Sequence, residues 1–151
     1  GFICESFAFQ VPAPGFLIAP IRGVSHVAPH LPILKLANKD FSRDPAVVAA
    51  LDADPLIANE TQPAMTIAAL SRADLRLHDS FGEITIPLLI LHGTDDHATV
   101  YHGSEYFFEH AGSTDKTLKL YEGHYHDMLA DIGKEEVMSD VLAWLNAHVP
   151  A

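Results

Sequence analysis

Two short loops near the end of the chain carry the residues best suited to chemistry. The first is His92-Gly93-Thr94-Asp95-Asp96, and the second is Glu122-Gly123-His124-Tyr125-His126. A histidine acting as general base needs a carboxylate from a separate loop, which fixes the ring tautomer and stabilises the cation formed when a proton is taken up. Asp96 and His126 stand thirty residues apart and could make such a pair. Asp95 competes with Asp96 and is read as a turn or cap residue; His124 competes with His126 and is read as a surface residue. Two serines are candidate nucleophiles within the chain. Ser6 follows an apolar stretch but lacks both flanking glycines of a nucleophile elbow, and Ser25 has only the first, Gly23. Metal binding is the other chemistry to weigh, since His124, His126, His97 and Asp95 could surround a zinc ion. No thiolate pair and no His-Glu-x-x-His accompanies them.

The elements that would position these loops follow from hydrophobic patterning. Ile86-Pro87-Leu88-Leu89-Ile90-Leu91 is a continuous apolar run, as expected of a parallel strand covered on both faces. A helix is predicted from about His102 to Ala111, with Gly112 as its left-handed cap. Lys116 to Tyr121 alternates and reads as a strand nearer an edge. A final helix spans roughly 134–147, with Val137, Val141, Trp144 and Leu145 as one buried stripe. In strand–loop–helix–strand–loop–helix order, both loops fall at the carboxyl end of a parallel sheet, where such sheets bind ligands.

The first 80 residues differ in texture. Phe2-Ile3-Cys4 opens a short buried strand over 1–8, and because it starts inside a strand the chain is expected to be a fragment. Seven prolines between positions 12 and 55 punctuate apolar stretches, so short helices and turns are expected across 9–60. Asp44-Pro45 predicts a helix start, with the helix running to about Ala53. Thr61 to about Ser80 reads as a longer helix, its apolar positions being Ile67, Leu70, Ala73 and Leu77. Phe107 and Phe108 read as helix core.

Composition bounds the function. The chain has 151 residues, 48% of them hydrophobic, which suits one globular unit. Nine basic against 20 acidic residues give a formal net charge of −11, which argues against a nucleic-acid partner. The single cysteine, Cys4, allows no internal disulfide and suits a reducing, cytoplasmic location.

With these motifs assembled, residues 86–145 resemble the C-terminal part of the monoacylglycerol lipase and lysophospholipase group of α/β-hydrolases. The matching segments run from Pro87 to Asp96 and from Asp115 to His126. In that group the acid closes a Gly-x-x-Asp motif, here Asp96, and the base is the histidine three residues after Glu-Gly, here His126. The resemblance implies an α/β fold: the C-terminal part of an α/β-hydrolase parallel sheet with a helical cap inserted after the first strand. Residues 1–8 and 81–151 would form the core and 9–80 the cap. It further implies a small-molecule acyl ester as substrate and no cofactor. In the group the nucleophile sits in a Gly-x-Ser-x-Gly turn, and none occurs in this chain. The serine is therefore expected in a missing N-terminal half, and the chain alone is expected to be inactive. The alternative is a non-catalytic lipid- or partner-binding half-hydrolase. Phe16-Leu17-Ile18 and Leu31-Pro32-Ile33-Leu34 are apolar enough for membrane contact; in a cap, such residues more often line an acyl pocket.

Overall fold

A computed structural model describes residues 1–9, 15–58 and 60–149, without the side chains of 15–19. Three parallel strands form the main sheet in the order β1 (Phe2–Glu5), β4 (Leu88–Gly93), β5 (Lys116–Tyr121). The elements between β1 and β4 are α1 (Gly15–Val27), β2 (Pro32–Leu34), α2 (Pro45–Ala53), β3 (Gln62–Pro63) and α3 (Ala64–Ser80). β2 and β3 pair antiparallel in a small second sheet. Two helices follow β4 and β5 respectively: α4 (Tyr101–His110) and α5 (Lys134–His148).

β4 is the axis of the core, and every one of its residues is buried. Its side chains alternate between two faces. Leu88 and Ile90 pack with Phe107 of α4, Phe9 and Phe81, whereas Leu89 and Leu91 pack with Val137 of α5, Tyr121 and Met128. The continuous apolar run thus has its predicted cause, helices on both faces. β1, expected to be buried, is half-buried instead, with Phe2 at 43% exposure; among the described residues it pairs only with β4.

Several local expectations change. Instead of short helices and turns, 15–27 forms one helix of 13 residues that accommodates Pro20. Ser25 therefore lies inside a helix and not at a strand-to-helix turn. Gly112 is not a left-handed cap, because α4 ends at Ala111 in extended conformation. Gly112 instead allows close approach: a Cβ there would lie 2.0 Å from the Gly82 carbonyl oxygen. In α3 the buried side is Ala64, Ile67, Ala68 and Ser71, while Leu70 is 40% exposed. In α5, Val137 is buried with Val141 and Trp144 against it, but Leu145 stays 37% exposed. Other features match expectation. Asp44 caps α2, its carboxylate accepting the Ala46 amide at 2.8 Å, and Phe107 is core with Phe108 packed beside it.

Register sets the positions of the loops. Glu5 lies opposite Leu91, and Gly93 opposite Tyr121, so all three strands end at one edge. Ser6, the Thr94–Asp96 loop and the Glu122–His126 loop therefore emerge side by side.

Candidate active site

The loops after β4 and β5 are joined through their backbones. The Thr94 amide donates to the Tyr121 carbonyl at 3.0 Å, and the Asp95 amide to the His124 carbonyl at 3.1 Å. The Gly123 amide donates to Thr94 Oγ1 at 2.8 Å. Contact at Gly93 is so close that a Cβ would fall 2.2 Å from the His124 carbonyl oxygen. A glycine at the end of β4 is the condition for this seam.

The seam brings Asp96 and His126 together. Asp96 Oδ2 accepts from His126 Nδ1 at 2.8 Å, with the Asp96 side chain fully buried and that of His126 24% exposed. Four more donors converge on the carboxylate. The Ala98 and Thr99 amides bind Oδ1 at 2.7 and 2.9 Å; the Thr99 hydroxyl and His92 Nε2 reach Oδ2 at 2.8 and 3.1 Å. Burial alone would raise the pKa of Asp96. The hydrogen bonds from His126, His92 and Thr99 outweigh it and hold the carboxyl far below the ordinary range. Asp96 is thus a fixed anion that accepts and does not take up a proton. His126 is left with Nε2 unengaged among the described residues. An imidazole oriented by a carboxylate on one nitrogen and open on the other can act as a general base.

The remaining candidates separate from this pair. Ser6 is buried in left-handed conformation (φ 47°), and its hydroxyl donates to the backbone carbonyl of His126 rather than to the ring. The Ser25 hydroxyl donates back to the Arg22 carbonyl at 2.7 Å within α1. His124, expected at the surface, is buried; its Nε2 lies 3.1 Å from the Ile132 carbonyl, beneath Gly133 at φ 93°. Burial lowers the His124 pKa. Asp95 enters the seam through its amide. Among the described residues, no group of three or more His, Cys, Asp or Glu side chains is arranged to hold a metal ion.

Several contributors had escaped sequence reasoning. Thr99, three residues after Asp96, follows an Asx-turn pattern that the sequence does display. His92 lies four residues before it. The segment Phe41–Arg43 carried no signal at all, because its partners are about 88 residues away. The Phe41 ring meets the His126 ring edge-on at 5.1 Å, and its carbonyl accepts the Asp127 amide at 2.9 Å. Asp131, buried with its side chain at 0% exposure, accepts from Arg43 Nε at 2.8 Å, the Arg43 amide at 2.6 Å and the Tyr125 amide at 3.0 Å. These donors hold its carboxyl below the usual range against the opposing effect of burial.

A cavity of about 620 Å³ opens beside the pair. Ile33, Leu34, Ile67 and Leu70 line it together with Thr99 and His126. Of the apolar segments read as pocket or membrane residues, Ile33 and Leu34 do line the cavity; the side chains of Phe16, Leu17 and Ile18 lie outside the described ones.

A family model described as serine aminopeptidase, S33, matches residues 1–133. The chain belongs to that family. Proteins similar to it include the monoacylglycerol lipase of Mycolicibacterium smegmatis, 32% identical over 133 residues, which cover 88% of this chain and 48% of the relative. The caffeoylshikimate esterase of Arabidopsis thaliana is 31% identical over 137 residues, covering 89% of this chain and 41% of the relative. Among solved structures, the monoacylglycerol lipase of Paleococcus ferrophilus superposes with a TM-score of 0.86 at 28% identity, over 97% of this chain and 58% of that one. A soluble variant of monoglyceride lipase from Saccharomyces cerevisiae, in complex with a substrate analogue, gives 0.84 at 24% identity over 100% and 54%. The parallel sheet and its helices are accordingly of the α/β-hydrolase type. The chain spans about half the length of the relatives it matches.

Proposed function

We propose that this chain supplies the acid, Asp96, and the base, His126, of a Ser-Asp-His triad that hydrolyses a carboxylic ester, with the serine outside these 151 residues. The carrying observation is the 2.8 Å Asp96–His126 pair, its free Nε2 beside an apolar cavity. In the reaction, His126 Nε2 takes the proton of the serine hydroxyl as its oxygen attacks the ester carbonyl. His126 then returns the proton to the departing alcohol, leaving an acyl-enzyme. Water repeats the cycle and releases the acid. Asp96 orients the ring and stabilises its cation throughout. Residues 9–80 act as a cap over the acyl chain, the rest of the chain being core. The apolar lining and the names of the relatives favour a monoacylglycerol or lysophospholipid-like substrate.

The cap also offers membrane contact through Val27, Leu31 and Met65, which are 88%, 46% and 45% exposed. Among the described residues no helix is long and apolar enough to cross a membrane. A cytoplasmic setting suits the unpaired Cys4.

A second reading, a non-catalytic lipid- or partner-binding half-hydrolase, draws on one observation: the Ser6 and Ser25 hydroxyls are both engaged away from the His126 ring. Fluorophosphonate labelling with peptide mapping tests both readings, with circular dichroism to verify folding. The folded 151-residue chain is expected to remain unlabelled. A chain extended upstream through a Gly-x-Ser-x-Gly turn is expected to label at that serine and to hydrolyse monoacylglycerol, losing both properties on His126→Ala. Labelling at Ser6 or Ser25 would refute the placement of the serine. An extended chain that neither labels nor turns over would favour the binding reading.

A further inference from the structure

His92 is fully buried, yet the proposed reaction gives it no task. Its position is determined by the fold. It is the penultimate residue of β4, and its Nδ1 lies 2.6 Å from Ser104 Oγ on α4. Its Nε2 points to the same Asp96 oxygen that holds His126, at 3.1 Å, with the Thr99 hydroxyl 3.2 Å away.

We infer that His92 is a positioning residue for the acid, locked by Ser104 in the tautomer that donates to Asp96. This rests on the reading of Asp96 and His126 as acid and base. An anion without solvent contact accepts hydrogen bonds and donates none, so the proton of the His92 contact sits on Nε2. Nδ1 is then an acceptor, and the Ser104 hydroxyl is its donor. The hydrogen bonds of Ser104, His92 and His126 therefore all run toward Asp96: Ser104 donates to His92, and His92 and His126 both donate to the carboxylate. Through Ser104 and His92 they anchor Asp96 to the most buried strand and to α4.

The consequence for His126 is geometric. Oδ1 is held by two amides of its own loop, which follow that loop wherever it moves. On Oδ2, Thr99 also belongs to the loop. Among the described side-chain donors to Asp96, His92 is the one that belongs to a strand of the sheet; the loop's other ties are the backbone bonds of the seam. Without His92, the Asp96 carboxylate is left to the donors of its own loop and of His126, and can turn within the loop that the seam holds, carrying the His126 ring away from the bearing that a serine would meet. A donor to a charged group is worth roughly ten- to a hundredfold in an equilibrium. Loss of the His92 donor is expected to speed opening of the Asp96–His126 pair by about that factor.

The test uses ring-nitrogen NMR on the 15N-labelled 151-residue chain, which needs no nucleophile. Two ring N–H protons, His92 Nε2–H and His126 Nδ1–H, are expected to be protected from solvent exchange. His92→Leu is expected to speed exchange of His126 Nδ1–H by roughly ten- to a hundredfold, with amide protection in β4 and β5 unchanged. His92→Gln, whose side-chain amide can donate in place of Nε2–H, is expected to restore most of the protection. Ser104→Ala removes only the hydroxyl and carries the test should His92→Leu fail to fold. It is expected to shift the His92 proton toward Nδ1 in the ring 15N shifts and to speed His126 exchange severalfold. If His126 exchange is indifferent to these variants, or the His92 proton resides on Nδ1 in the wild-type chain, the inference is overturned and the acid–base pair survives. If His126 Nδ1–H is unprotected in the wild-type chain, the pair itself fails, and the functional reading with it.

Discussion

Replacing Asp131 by alanine should destabilise the fold more than its position on a connecting turn suggests. Its side chain is fully buried while Arg43, its ionic partner, is 29% exposed. Truncation removes the acceptor for the Arg43 guanidinium and for the Arg43 and Tyr125 amides. Breaking a buried pair from one side costs about 3–5 kcal/mol, chiefly because the other charge loses its partner. Arg43 retains some solvent and a bond to the Ile132 carbonyl, which favours the lower figure, about 3 kcal/mol. For a chain of this size, 1 kcal/mol shifts the melting temperature by about 2–4 °C, so a drop of about 6–12 °C is expected. Thermal unfolding by circular dichroism measures it. The double variant Arg43→Met/Asp131→Leu should recover much of the loss, since an apolar pair replaces the ionic one. A shift below about 2 °C for Asp131→Ala, or a double variant no better than the sum of the singles, would refute this account of how the 41–43 segment grips the turn after His126.

Three further outcomes are expected. Stability should fall as pH drops below about 4: the folded-state pKa values of Asp96 and Asp131 lie below the ordinary carboxylate value, so their contributions are full above it and vanish as each is protonated. Glu5, raised chiefly by burial, runs the opposite way and costs stability as it ionises, so Glu5→Gln should stabilise the chain at pH 7 relative to pH 4; urea titrations at several pH values check both signs. Gly93→Ala should destabilise by about 2–3 kcal/mol and disrupt the seam, read as faster exchange of the Asp95 amide; unchanged exchange would show that the seam tolerates a side chain. Burial, aided by the charge of Glu5, pushes the Cys4 thiol up to about 11, so at pH 8 about one molecule in a thousand carries the thiolate, and alkylation should be far slower in the folded chain than in urea; equal rates would contradict the shielding of the Cys4 thiol.

What could be read from the sequence was whatever depends on neighbours along the chain. The unbroken apolar run into Leu91 signalled a strand covered on both faces because alternation is lost when both sides are buried. Asp44-Pro45 announced its helix because capping is settled within three residues. The order of the two loops, with the motif resemblance, was enough to name Asp96 and His126 as a candidate pair, since parallel strands bring their carboxyl ends to one edge whatever their side chains.

Tertiary structure decided what depends on residues far apart in sequence. His124 and His126 differ by two positions, and nothing local distinguishes them. One is turned under Gly133 and the other onto Asp96 by the seam at Gly93, a close approach that only the packed loops reveal. Ser6 follows a strand as a nucleophile would, but its hydroxyl is used on the carbonyl of a residue 120 positions later. Arg43 and Asp131 find each other across 88 residues. Charge and hydrogen-bond partners of this kind are chosen by burial. A buried polar group must find a partner wherever the fold provides one, and local sequence does not specify which residue that will be.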